Sequence, residues 1–123
     1  MDSKESALDN GLVFINNCIQ PNGMVRCFAR STSIKDSNYE DLVTYFSGLT
    51  GLILLELGSP IAQQMSERLM KFVKDEMLES HLWMWSAIGS DLRKYIPPDI
   101  DTTSINAELI MRYGIDFKGD NIL

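Results

Sequence analysis

A chain of 123 residues with 45% apolar and 23% charged residues has the size and composition of one globular domain, too apolar for disorder and too interrupted for a membrane span. Eleven basic against seventeen acidic residues give a net charge of -6, which repels phosphate backbones and anionic lipid. Arg26 and Arg30 stand apart from Lys71 and Lys74, so no basic patch overrides that balance, and nucleic acid is not an expected partner.

The opening MDSKESALDNG has no apolar core region and no cleavage-like site, which makes a cytoplasmic location the expectation and leaves Cys18 and Cys27 reduced. From residue 3 to about 20, Leu8, Leu12, Ile15 and Ile19 recur at three- and four-residue spacing, with Phe14 and Cys18 widening the stripe. This is the period of an amphipathic helix, and Pro21, Asn22 and Gly23 end it. The following MVRCFARSTSIKDSN lacks that period and reads as a long connection, with at most a short extended piece at Met24 to Phe28.

Ser37 and Glu40 fit a capping box, and Asp41 adds negative charge to a first turn, so a second helix is predicted over about 39–57. Its middle, GLTGLILLEL, is apolar nearly all round and should face protein on more than one side. Gly58 supplies a stop, and Ser59 with Pro60 supplies a cap and first-turn proline for a third helix over about 60–79. The two form an antiparallel hairpin with a very short joint. After them HLWMWSAIGSDLRKYIPP carries Trp83, Trp85 and Tyr95 through an irregular segment, and Pro97 and Pro98 lead to a fourth helix over about 101–113 that ends at Gly114. No strand of any length is predicted, and the expected class is all-α, in a single domain spanning 1–123.

The stretch IPPDIDTTS raises the question of chemistry. Asp, Ser and Thr before an apolar run satisfy exposed N–H groups at a helix start, which is one reading of Asp99 and Asp101. The other is a carboxylic acid used as a proton donor, which needs two carboxylates sharing an apolar pocket, with Trp83, Trp85 and Tyr95 lining it to exclude water and stabilise positive charge. A calcium loop fails, because counting from Asp99 puts Ser104 where glycine is required and Ile110 where the bidentate glutamate belongs. Zinc fails as well: His81 is the single histidine and neither cysteine stands at ligand spacing from it. No metal and no cofactor is expected.

The aromatic segment, the proline pair and the Asp pair followed by hydroxyl residues, WMWSAIGSDLRKYIPPDIDTTSINAEL, resemble the terpenoid cyclase and protein prenyltransferase superfamily, in particular squalene-hopene cyclase-like proteins. The resemblance covers about Trp83 to Leu109 and implies an α/α toroid of paired inner and outer helices, of which this chain could be a part. It implies an apolar isoprenoid-type ligand, Asp99 and Asp101 as the first two carboxylates of an Asp-x-Asp-Asp-Thr acid motif, Thr103 as its threonine, and Trp83, Trp85 and Tyr95 as ligand-lining aromatics. Thr102 stands where the third Asp is expected, so the motif is degenerate. A partial toroid also implies help from a second chain or another copy.

An alternative from a different class is a non-catalytic helical module for protein interaction or self-association, suggested by the breadth of Gly48 to Leu57 and by Met65, Met70, Met77 and Met84, adaptable apolar side chains at helical spacing. Nucleotide hydrolysis lacks a glycine-rich phosphate loop, and no serine sits in a nucleophile-elbow context near His81.

Overall fold

The computed structural model describes residues 3–30, 38–90 and 93–115, and the side chains of these outside 27–30 and 38–41. The elements run α1 (Ser3–Cys18), β1 (Cys27–Arg30), β2 (Asn38–Asp41), α2 (Tyr45–Leu57), α3 (Pro60–Asp75) and α4 (Ile100–Arg112). The class is all-α: α2 packs along α3 and across α4 as a small helical bundle, and a short antiparallel ribbon is the addition that sequence did not predict.

The α2–α3 hairpin forms as its local chemistry dictates. Gly58 ends α2 in the left-handed conformation at φ 69°, its N–H donating to Leu55 O at 3.1 Å. Ser59 then caps α3, accepting from Ala62 N at 3.2 Å, and Pro60 occupies the first turn. Along α3, Met65, Leu69, Met70, Phe72 and Val73 turn inward at helical spacing, while Gln64, Glu67, Lys71 and Lys74 face solvent. Each such apolar side chain contributes roughly 1.5–3 kcal/mol when fully buried.

The inner side of α2 is made of small residues. Ser47, Gly48, Gly51 and Leu54 are buried, and α4 approaches so closely that a Cβ on Gly48 would lie 1.9 Å from Asn106 Oδ1, and one on Gly51 2.7 Å from Leu109 Cδ2. Of the broad apolar run Gly48 to Leu57, then, Leu54 belongs to the core and Ile53 and Leu57 to the outside, at 52% and 44% exposure.

The start of α2 differs from the predicted residue 39. Residues Asn38–Asp41 pair antiparallel with Cys27–Arg30 instead, Cys27 opposite Asp41 and Arg30 opposite Asn38. Leu42 and Thr44 then bond the later irregular segment, through Ala87 N to Leu42 O at 2.9 Å and Thr44 N to Trp85 O at 2.8 Å. These long-range bonds keep 38–44 out of the helix, which a local capping signal could not reveal. Ser37, the connection 31–37 and the residues 116–123 lie outside the described residues.

The other boundaries shift by a few residues. α1 stops at Cys18 because Ile19 pairs with Val25 and Gln20 N donates to Met24 O at 2.9 Å, closing a turn in which Gly23 (φ 92°) sits against the Arg68 carbonyl with no room for a Cβ. α3 stops at Asp75, where Glu76 leaves the helix and its carboxylate accepts from Ile88 N at 3.0 and 3.3 Å.

Candidate functional site

The Asp pair lies at the start of α4. Asp99 is extended (φ −129°, ψ 160°) and its carboxylate accepts from Thr102 N at 2.7 Å, the bond of a helix N-cap. Asp101 stands two residues further, exposed, in the first turn where its charge suits the helix dipole. Thr102 and Thr103 point the other way, into the core.

The three aromatics occupy three environments. Trp83 has no exposed surface: its indole Nε1 donates to Val73 O at 2.8 Å and its backbone N–H to Thr103 Oγ1 at 3.0 Å, joining α3 to α4. Trp85, half-buried, stacks on Tyr45 at 5.3 Å between ring centroids and meets Phe46 edge-on at 5.5 Å. Tyr95 is 71% exposed, with the Lys94 ammonium 5.0 Å from its ring centre. The structure therefore brings Trp83 to the Asp99 helix through Thr103, and sets half-buried Trp85 and exposed Tyr95 apart from it.

Polar atoms around Trp83 form a second buried layer. Asn106 Nδ2 donates to Thr44 Oγ1 at 3.2 Å, and that hydroxyl donates to Met84 O at 2.6 Å. Asn106 Oδ1, Thr102 Oγ1 and Ser86 Oγ are buried without a hydrogen-bond partner among the described residues. Nearby, Glu76 is 8% exposed, and burial pushes its carboxyl above the ordinary carboxylate range, opposed by the Ile88 N–H and by Arg93 at 3.5 Å. Arg93 Nη1 also donates to Ser86 O at 2.7 Å, so the pair clamps the aromatic segment to the end of α3.

Because folding raises this pKa, the protonated acid is the form the fold prefers. Its contribution is fully present below the unfolded value and is lost as pH rises through the folded value. Thermal melts across the weakly acidic range should show wild type losing stability with rising pH relative to Glu76→Gln, which cannot titrate. Parallel pH profiles would contradict this.

Two apolar grooves flank α1, and sequence reasoning did not anticipate them. One, of about 480 Å³, lies between α1 and α3 and is lined by Leu12, Val13, Ile61 and Met65 with Asp9 and Arg68 at its edges. The other, of about 580 Å³, lies between α1 and α2 and is lined by Phe14, Ile15, Val25, Ile53 and Leu54. The signal was present in Leu12–Val13–Phe14–Ile15: four consecutive apolar residues cover more than the one face a docked helix can bury. Leu12 is buried and Ile15 half-buried, whereas Leu8, Val13 and Phe14, the first and last of them counted in the inward stripe, are 48%, 61% and 69% exposed.

Among the described residues, no cluster of three or more His, Cys, Asp or Glu could hold a metal ion, and no helix is long and apolar enough to cross a membrane. No family model matches the chain, and neither the curated proteins nor the solved structures give a match.

Proposed function

We propose that the chain is a non-catalytic helical module that self-associates through the apolar surface around α1. The observation that carries this reading is the grouping of exposed apolar side chains from three helices: Val13 and Ile61 share one groove, Phe14 and Ile53 the other, and α1 runs between them. Contiguous apolar surface of this kind marks interaction sites more often than scattered single residues do. The capping role of Asp99 and the exposure of Asp101 favour it over proton-donor chemistry, which needs a carboxyl held in an apolar pocket.

Sedimentation velocity over a wide concentration range tests it. Wild type should shift from monomer towards dimer as concentration rises, while Phe14→Glu/Ile53→Glu stays monomeric and keeps its helical circular dichroism. A wild-type chain that remains monomeric throughout would contradict the reading.

A second reading keeps the isoprenoid-type ligand implied by the cyclase resemblance but moves it to the α1–α2 groove. Its support is size: about 580 Å³ falls inside the range of roughly 300–1,000 Å³ usual for small-molecule sites, and Phe14, Ile15, Val25 and Ile53 give an apolar lining. An isoprenoid alcohol titrated into the monomer would then move the Ile53 and Val25 methyl resonances before any others.

A further inference from the structure

The face of the bundle beneath α1 is a strip of Leu54, Ala62, Met65 and Leu69, none more than 3% exposed, against which Leu12 and Ile19 pack. The helix that covers it is weakly built. Asp9, Asn10, Gly11, Asn16 and Asn17 are poor helix formers, and a Cβ on Gly11 would meet nothing within 4 Å, so packing gives no reason for a glycine in mid-helix. Leu12, at 8% exposure, is the buried residue of α1.

The end of α1 is held from outside by α3. Its last turn carries no basic residue, and Arg68 supplies the missing positive charge, donating from Nη1 to Asn16 Oδ1 at 3.2 Å and from Nη2 to Gln20 O at 3.3 Å. Both bonds are exposed. Open grooves on either side of α1 leave it without lateral support. The turn that follows is anchored more firmly, with Met24 at 2% exposure and Gly23 against the Arg68 carbonyl, so release of α1 would pivot at Cys18–Ile19.

We propose that the strip beneath α1 is a helix-binding site, and that its occupant in trans is the α1 of a second copy of the chain. Complementarity to that occupant is already on display. Leu12 and Ile15, at i and i+3, are the anchors that leave with α1, and another copy presents them in the same pattern, with the same Asn16 Oδ1 acceptor for Arg68. Exchange of an identical element replaces each intramolecular contact by its equivalent between chains, which keeps the cost of the exchange low. The site exists whether or not the outer surface of Phe14 and Ile53 self-associates.

The test uses the full chain carrying Leu12→Asp, which places a charge on the anchor of its own α1 and leaves the strip unaltered, together with a fluorescent peptide of residues 3–18. In wild type the tethered α1 competes at an effective concentration in the millimolar range, so the L12D chain should bind the peptide about tenfold or more tightly than wild type does. A peptide that itself carries L12D should not bind. Loss of the cooperative melt in the L12D chain would make α1 an integral part of the fold and overturn the proposal. A folded L12D chain that binds the wild-type peptide no better than wild type does would overturn it equally.

Discussion

Leu54→Asp is expected to unfold the chain, and Ile53→Asp, one residue away, to leave it folded. Leu54 has no exposed surface and packs with Ala62, Met65 and Leu69 in the strip under α1, so truncating its side chain alone would cost about 2–5 kcal/mol. An ionised carboxylate in the same place has no cation to pair with inside that apolar cluster and adds several kcal/mol more, against a total stability of roughly 5–15 kcal/mol for a domain of this kind. Ile53, 52% exposed, projects into the α1–α2 groove and loses little. Circular dichroism melts separate the two. A cooperative L54D melt at the wild-type midpoint would place Leu54 outside the core.

Trp83→Ala should be the most damaging change among the aromatics, at about 3–5 kcal/mol. The indole is fully buried among Met70, Val73, Ala107 and Ile110, so truncation opens a large cavity and removes one of the two donors to the Val73 carbonyl, which keeps Glu76 N at 3.2 Å. Trp83→Phe keeps most of the ring and isolates the lost hydrogen bond, at about 0.5–1.5 kcal/mol because the Val73 carbonyl keeps its bond from Glu76 N. Trp85→Ala removes a half-exposed stack on Tyr45 and Phe46 and should cost less, on the order of 0.5–1.5 kcal/mol for the ring contacts beyond the area they cover. Urea titrations give the order directly, and a larger loss for W85A than for W83A would contradict this packing.

Where the chemistry that shapes an element is local, the sequence was readable. Gly58, Ser59 and Pro60 contain within three residues everything the α2–α3 joint needs, and Asp99 followed by Thr102 contains the α4 cap. The alternating apolar and polar faces of α3 were legible for the same reason. The beginning of α2 was not: a serine and a glutamate at capping-box spacing compete with pairing of 38–41 to residues 8 to 14 positions earlier and with bonds to Trp85 and Ala87 more than forty positions later. Those partners are brought together by the fold as a whole.

The candidate site shows the same division. That Asp99 or Asp101 would cap a helix follows from residue type and position, and the structure gives the bond to Asp99. How Trp83, Trp85 and Tyr95 divide between core and surface does not, because Leu82 to Ala87 follows an extended path set by Thr44 and Thr103, with no helical period to read. The apolar surface around α1 was hidden for a third reason. An amphipathic stripe of Leu8, Leu12 and Ile15 says which residues can face inward but not how much of the bundle is there to receive them, and the bundle receives Leu12, Ile15 and Ile19 while leaving Leu8, Val13 and Phe14 outside.

The most direct test of the interaction surface is residue-resolved hydrogen exchange of the intact chain at low and high concentration. The account predicts that protection rises with concentration around Val13–Phe14 and around Ile53–Leu57, and stays constant at the Asp99 cap and beside Tyr95. Concentration-dependent protection centred on Asp99, Asp101, Trp85 and Tyr95, with α1 unchanged, would contradict it and return attention to the Asp pair.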